Sequence, residues 1–309
     1  MSMPSPTLSP FHEVIIIGGS YAGLSAAMSL GRARRQVLVM DGGLPRNRFT
    51  PHAHNLLLHD GESPAALAAR ARQQVAQYPT VQFLTGQATS ASRLPNGTFR
   101  IDTAQHGSLS ARYLLLATGL RDELPAVPGF AECWGKSVIH CPYCHGYEVA
   151  DQPTGAWVNG EDANHLATLL PNWTSNLTIF TNGPATFGAD LRQQLADQHI
   201  ALDETPITAL EHEQGQLRAL HLADGRRHPL PVLYARLPLH QASELPAQLG
   251  CALAKQAPLL QVDAMYRTSV PRVYAAGDNC VPVSQLAQAI AAGNMAGAAI
   301  SRELIFGAH

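Results

Sequence analysis

The residues with the most reactive chemistry in this chain lie in one short run, His140-Cys141-Pro142-Tyr143-Cys144-His145-Gly146-Tyr147-Glu148. Two cysteines separated by two residues can close a small disulfide ring and exchange electron pairs with any group able to attack either sulfur. Pro142 fits the first position of a helix, where its missing N–H costs nothing. That placement makes Cys141 the N-cap and aims the positive end of the helix at its sulfur, which favours the thiolate. His145 titrates near neutral pH and can take or return a proton. By itself the motif is compatible with a redox pair, half a zinc site or a chance pairing. Crowding argues against zinc: His140, Cys141, Cys144 and His145 cannot easily surround one tetrahedral ion, and no second CxxC or HxxxH completes a site. No metal is expected.

Two distant segments read as halves of a flavin site. In the first, the β-branched run Val14-Ile15-Ile16-Ile17 enters Gly18-Gly19-Ser20-Tyr21-Ala22-Gly23 and leaves as an alanine-rich stretch. This is the strand, turn and helix of a dinucleotide fold. Gly18 makes the tight turn, Ser20 stands where the pattern wants a glycine, and Gly23 lets the helix pack on its strand; Tyr21 and Ala22 complete the turn. The next strand, Gln36 to Met40, ends at Asp41, near the ~20-residue spacing of a ribose-binding carboxylate. Far downstream, Val273-Tyr274-Ala275-Ala276 closes on Gly277 and Asp278, where backbone can approach a ligand and a carboxylate can accept from hydroxyls. Between them Tyr113 to Leu116 closes on Ala117-Thr118-Gly119.

The set GxSxxG, ATG, CxxC and AAGD, in this order and length, resembles the low-molecular-weight thioredoxin reductases and their relatives, from about Glu13 to Ile305. The resemblance implies an α/β fold of two Rossmann-like dinucleotide-binding domains. Residues 1–121 and 241–309 would form a discontinuous FAD domain. It is split by an inserted, degenerate NAD(P)H-type domain, 122–240, that carries CxxC. It also implies FAD as cofactor, Asp278 on the ribityl chain, Gln288 and Ala289 beside the isoalloxazine ring, and a homodimer. The loop Pro45-Arg46-Asn47 matches a segment that passes over the flavin in these relatives. Arg46, Asn47 and His54 are therefore cofactor candidates, and His52 and His54 stand equally as incidental loop histidines.

Composition agrees. A chain of 309 residues can hold two compact domains with real cores. A net charge of −2 and 14% charged residues give no footprint for nucleic acid. No apolar run approaches the ~20 residues of a membrane span. Met1 to Pro10 lacks a positive n-region and a long apolar stretch, so it reads as a disordered lead-in rather than a signal peptide. Five cysteines are too few for a disulfide scaffold at this length. An isolated CxxC points to cytoplasmic redox chemistry, with Cys133, Cys251 and Cys280 as packing thiols.

The inserted domain departs from the family. Its turn after Thr154 to Trp157 reads Val158-Asn159-Gly160-Glu161-Asp162-Ala163, where NADPH-using relatives read like GGGDSA. Asn159 and Glu161 replace glycines, and a carboxylate there opposes phosphate. After Leu177 to Phe180 the relatives place His-Arg-Arg for the 2′-phosphate; this chain has Thr181-Asn182-Gly183, with no cation until Arg192. The cysteine motif is similar to that of the dithiol oxidases that close the disulfides of gliotoxin and holomycin. That resemblance makes Cys144 the flavin-proximal sulfur, Cys141 the interchange thiol and His145 the base, with Glu148 either orienting it or serving as a plain turn carboxylate.

Four readings stand: an oxidoreductase of small-molecule dithiols independent of nicotinamide; a reductase of thioredoxin-like partners fed by ferredoxin or a second flavin; an NADPH-dependent thioredoxin reductase; and a non-catalytic flavin sensor or zinc module.

Overall fold

The computed structural model describes residues 9–255 and 258–307, so the lead-in Met1–Pro10 lies outside the described residues except for Ser9 and Pro10. The chain divides into two compact units: the described residues of Met1–Arg46, Ala65–Arg121 and Leu239–His309 form unit 1, and Asn47–Pro64 with Asp122–Pro238 form unit 2. The division differs from the sequence expectation in two places: 47–64 joins unit 2, and the return to unit 1 comes at Leu239 rather than at 241.

Unit 1 opens with β1 (Phe11–Ile17), α1 (Tyr21–Arg32) and β2 (Val37–Asp41). After the excursion of 47–64 come α2 (Pro64–Val75), β3 (Val81–Thr85) and the meander β4 (Ala88–Arg93), β5 (Phe99–Thr103) and β6 (Gly107–Leu116). A short β7 (Leu120–Asp122) ends this stretch. Strand order is β3-β2-β1-β6-β5-β4, parallel from β3 to β6 and antiparallel through the meander. Val14, Ile15 and Ile16 are fully buried, as a central parallel strand covered on both faces requires.

Unit 2 adds α3 (Phe130–Cys133), β8 (Val138–Ile139), α4 (Pro142–His145), β9 (Thr154–Trp157), α5 (Glu161–Leu169), β10 (Leu177–Phe180), α6 (Ala189–Asp197) and β11 (Ala201–Asp203). Then follow β12 (Ile207–Glu213), β13 (Gln216–Leu222), β14 (Arg227–Pro229) and β15 (Val232–Ala235). A parallel sheet in the order β11-β10-β9-β15-β8 is the second dinucleotide-type core, and β12-β13-β14 form a separate antiparallel sheet.

The chain returns to unit 1 through β16 (Leu239–Gln241), α7 (Leu245–Gln248), β17 (Val273–Ala275) and α8 (Leu286–Phe306). Strand β17 pairs parallel with β6. Helix α8 lies tight on α1 because Gly293 and Gly297 sit against the Ala22 and Ala26 carbonyls, where a Cβ would overlap backbone. Ser25 Oγ donates to the Ile290 carbonyl at 2.7 Å in the same contact. Among the described residues no helix is long and apolar enough to cross a membrane.

Candidate active site

In unit 1 the carboxyl ends of β1, β2, β6 and β17 converge, the place where open parallel sheets bind ligands. Gly18 donates its N–H to Met40 O (2.8 Å), and its φ of 109° is one that only glycine adopts readily. A Cβ on Gly18 would run into the Ala117 carbonyl, and one on Gly23 into the Gly18 carbonyl. Gly19 closes on the Asp41 side chain, so the first turn and the end of β2 are in contact. Asn279 binds the other half: fully buried, it donates from Nδ2 to Leu116 O (2.8 Å) and Thr118 Oγ1 (3.4 Å). This brings Ala117, Thr118 and Gly119 against Gly277 and Asp278. Sequence reasoning gave Asn279 no role, although a second polar residue next to Asp278 in the turn after β17 was a signal.

The cradle suits a dinucleotide. Ser20 is the N-cap of α1 but makes no side-chain capping hydrogen bond, and no acidic residue stands in the first turn. The orphan N–H groups and the positive end of a twelve-residue helix therefore face an anion without competition. The Asn279 Oδ1 atom is buried with no partner among the described residues, an acceptor left over beside the turn. Arg46 reaches Asp278 (3.2 Å) and Ser284 (2.9 Å), tying the end of unit 1's first segment to the Asp278 turn. Gln288 and Ala289 lie in the first turn of α8. Asn47 and His54 fall in unit 2.

In unit 2, Cys141 and Cys144 are joined as a disulfide, with Cα atoms 5.3 Å apart. Cys141 is the N-cap and Pro142 the first residue of α4, as expected, but α4 is a single turn. Gly146, the C-cap, closes the turn by donating to Pro142 O (2.7 Å) and packs on Trp173; with α4 only one turn long, the helix field at Cys141 is that of one turn only. Tyr143 meets Trp173 edge-on at 5.4 Å, and His140 stacks on Trp134 at 5.8 Å. Two tryptophans thus fix the motif from either side. Cys133, Cys251 and Cys280 are buried and free, and burial raises all three thiols, Cys280 to about 12.

His145 is half-buried, and burial lowers its pKa; the neighbouring His54 lowers it further, and Glu148 opposes both. It therefore stays neutral, able to accept a proton, to below the usual histidine range. His54 lies on the 47–64 segment, with Nδ1 3.3 Å from Glu148 and 3.4 Å from Asp60. Glu148 thus engages His54, which the sequence leaves open as a cofactor candidate or an incidental loop histidine.

The second dinucleotide-type turn has the opposite character. Helix α5 starts at Glu161 and carries Glu161 and Asp162 in its first turn, with Asp162 paired to Arg236 at 3.1 Å. Asn159 ties this turn to the loop after β10. Its Oδ1 accepts from Gly160 N (2.8 Å), Thr186 N (2.8 Å) and Thr186 Oγ1 (3.1 Å). Its Nδ2 donates to Thr181 O (3.3 Å) and Pro184 O (3.0 Å). Arg192, the first cation after β10, is held by both oxygens of Glu204 at 2.7 and 3.0 Å.

A strand–turn–helix cradle, a second Rossmann-like sheet and a redox disulfide define a flavin-dependent thiol–disulfide oxidoreductase. Residues 12–296 match the family model described as pyridine nucleotide-disulphide oxidoreductase, and the chain belongs to that family. It is 31% identical over 308 residues to thioredoxin reductase aclD of Aspergillus oryzae, covering 96% of this chain and 98% of the relative. Thioredoxin reductase sirT of Leptosphaeria maculans is 29% identical, with 96% and 95% covered. Among solved structures, an oxidoreductase from Agrobacterium tumefaciens superposes with a TM-score of 0.89 at 38% identity, covering 96% of this chain and 99% of that one. HlmI superposes with 0.91 at 33%, covering 97% and 94%. FAD is the cofactor of this family.

Proposed function

We propose that this chain oxidises small-molecule dithiols to disulfides through Cys141–Cys144, without a nicotinamide donor and with oxygen as the final acceptor. The observation that carries the reading is the contrast between the two helix starts. The α1 start carries no acidic residue, whereas the α5 start bears two carboxylates and its turn is tied to the loop after β10 by Asn159.

FAD, when bound, supplies a two-electron carrier that restores the cysteine pair to the disulfide and that oxygen can reoxidise. Gly18, Ser20, Tyr21, Ala22 and Gly23 would hold its pyrophosphate and Asp41 its ribose. Ala117, Thr118, Gly119, Gly277 and Asp278, with Arg46, Gln288 and Ala289, would hold the rest. At the disulfide, His145 takes the proton of a substrate thiol. The thiolate attacks Cys141 Sγ, the Cys141–Cys144 bond breaks and Cys144 leaves as thiolate. The second substrate thiolate then attacks the sulfur bound to Cys141, releasing the substrate disulfide and the Cys141 thiolate. Overall one dithiol and one oxygen give one disulfide and one hydrogen peroxide.

A second reading, exchange with a thioredoxin-like protein, is favoured by the names of the relatives, since reversible exchange runs either way with the relative potentials. The test is anaerobic mixing of the yellow holoprotein with dithiothreitol or NADPH, followed by air. Dithiol bleaching, reoxidation and peroxide are the expected results. Bleaching by NADPH and turnover only with thioredoxin would replace the first reading by the second.

A further inference from the structure

The 47–64 segment of unit 2 holds one side chain in a setting that binding a flavin would not require. Backbone bonds close it into a tight loop: Ala53 N donates to Glu62 O (2.8 Å) and Gly61 N to Ala53 O (2.9 Å). Within it Asn55 (φ 59°) and Leu58 (φ 72°) are left-handed. Asparagine tolerates that conformation, but a leucine there stores strain, and such strain gathers at functional sites. Asp60 serves twice: Oδ1 accepts from Asn55 N at 2.7 Å and fixes the loop, while Oδ2 faces His54. The Asn55 N–H, with His54 beside it, keeps Asp60 ionised to lower pH than an ordinary aspartate.

His54 thus presents Nδ1 to two carboxylates, one from its own loop and one, Glu148, from the turn after the cysteines. A carboxylate on Nδ1 fixes the tautomer and leaves Nε2 as the acceptor, the arrangement that orients a histidine base. Side-chain exposure rises along the group: 18% for His54, 39% for Glu148 and 66% for Asp60. The disulfide and His145 are partly covered, so protons released there need a way out, and this series leads to water.

We propose that His54, held by Glu148 and Asp60, is the next proton acceptor after His145 and forms with them the proton outlet of the Cys141–Cys144 disulfide. The inference rests on the disulfide being the reacting group, as proposed above. In the exchange a dithiol loses two electrons and two protons, and the disulfide gains the two electrons as two thiolates. The protons pass to His145, one per attack, then to His54 and out past the carboxylates. His54 acts through His145 and is a positioning and relay residue. The charged and titratable groups around it are Asp60, Glu148 and His145. His52 lies at 6.3 Å between ring centroids, the His59–Glu62 pair is on the same loop, and Tyr234 of β15 feels the charge of Glu148.

The test follows reduction of Cys141–Cys144 by dithiothreitol in the holoprotein, trapped by alkylation and weighed by mass spectrometry, from pH 5.5 to 8.5. His54→Gln should slow reduction about tenfold or more near neutral pH and change the profile, since loss of general acid–base help costs ~10²–10⁴ at most. Imidazole added to His54→Ala should restore part of the rate, and Glu148→Gln and Asp60→Asn should show smaller losses in the same direction. Wild-type rate and profile in both His54 variants would overturn the outlet, as would equal losses at every pH without imidazole rescue. The readout is the sulfur exchange itself. NADPH proving to be the electron donor would overturn the proposed function and leave this result standing.

Discussion

The sharpest consequence concerns the second dinucleotide turn, and the perturbation is Asn159→Gly with Glu161→Gly. Removing the Glu161 carboxylate from a helix start is worth about 0.3–1 kcal/mol toward an anion, or roughly two- to fivefold in affinity. The missing 2′-phosphate cations cost far more: two or three charge-assisted bonds at about 1.5–3 kcal/mol each amount to ~10²–10⁶ in binding. Arginines cannot simply be grafted in. Asn182 has φ 54° and Gly183 φ 125°, both left-handed, and Asn182 Oδ1 accepts from Ile207 N at 2.7 Å. A cationic run there would strain two residues and open that bond. The double variant should therefore gain no more than about tenfold in NADPH affinity and still resist bleaching. It should also melt lower, because Asn159 gives up five hydrogen bonds. Water replaces part of these at an exposed rim, so the loss is about 1–3 kcal/mol, a few degrees per kcal/mol for a domain of this size. Anaerobic absorbance during NADPH titration and a thermal melt measure both. Rapid bleaching of the wild type by micromolar NADPH would refute the reasoning.

Cys141→Ser should block turnover yet leave the flavin spectrum close to oxidised wild type, whereas Cys144→Ser should remove any thiolate-to-flavin charge-transfer band; reversed phenotypes would exchange the two roles. His145→Ala should slow thiol exchange by ~10²–10⁴. Since burial lowers the His145 pKa, the wild-type rate should hold through neutral pH and fall only as acid protonates the ring, and the alanine variant should lose that acid limb from its pH–rate profile. Gly23→Ala should purify with little flavin, read as the ratio of visible to protein absorbance, because the new Cβ overlaps the Gly18 carbonyl; full flavin content would show that the turn yields.

What the sequence made legible was local. The run into Gly18, the Asp41 spacing and Cys141 ahead of Pro142 follow from periodicity and turn chemistry within a few residues, and each element forms where those patterns put it. What it hid depends on partners far along the chain. Arg46 finds Asp278 across 232 positions. The 47–64 segment joins unit 2 because Phe49 fills the space beside Gly135 and His54 meets Glu148, contacts that no local pattern announces. The close packing of Gly146 on Trp173, which leaves no room for a Cβ, was equally hidden.

The proposed loss of the nicotinamide site would leave the second fold standing, because the packing of that unit does not depend on the turn residues that would hold the ligand. The core around Ile139, Ala156, Leu166, Ile179 and Tyr234 takes in Val158 and Ala163 on either side of the turn, but not Asn159, Gly160 or Glu161. That turn still presents backbone donors, and a donor without a partner is costly. Asn159 Oδ1 takes the N–H groups of Gly160 in the turn and of Thr186 in the loop after β10, which ties the two together. A phosphate arriving there would have to break those bonds before making its own, against two carboxylates. At the start of α1 no side chain does this: Ser20 leaves its helix uncapped, so an anion gains the full value of the free N–H groups. Under the proposed function, two turns of the same topology would thus differ in ligand through the Asn159 bonds and the two first-turn carboxylates of α5. Placing an asparagine at Gly18 or Gly19 would not copy the second turn into the first, because neither position has room for a Cβ.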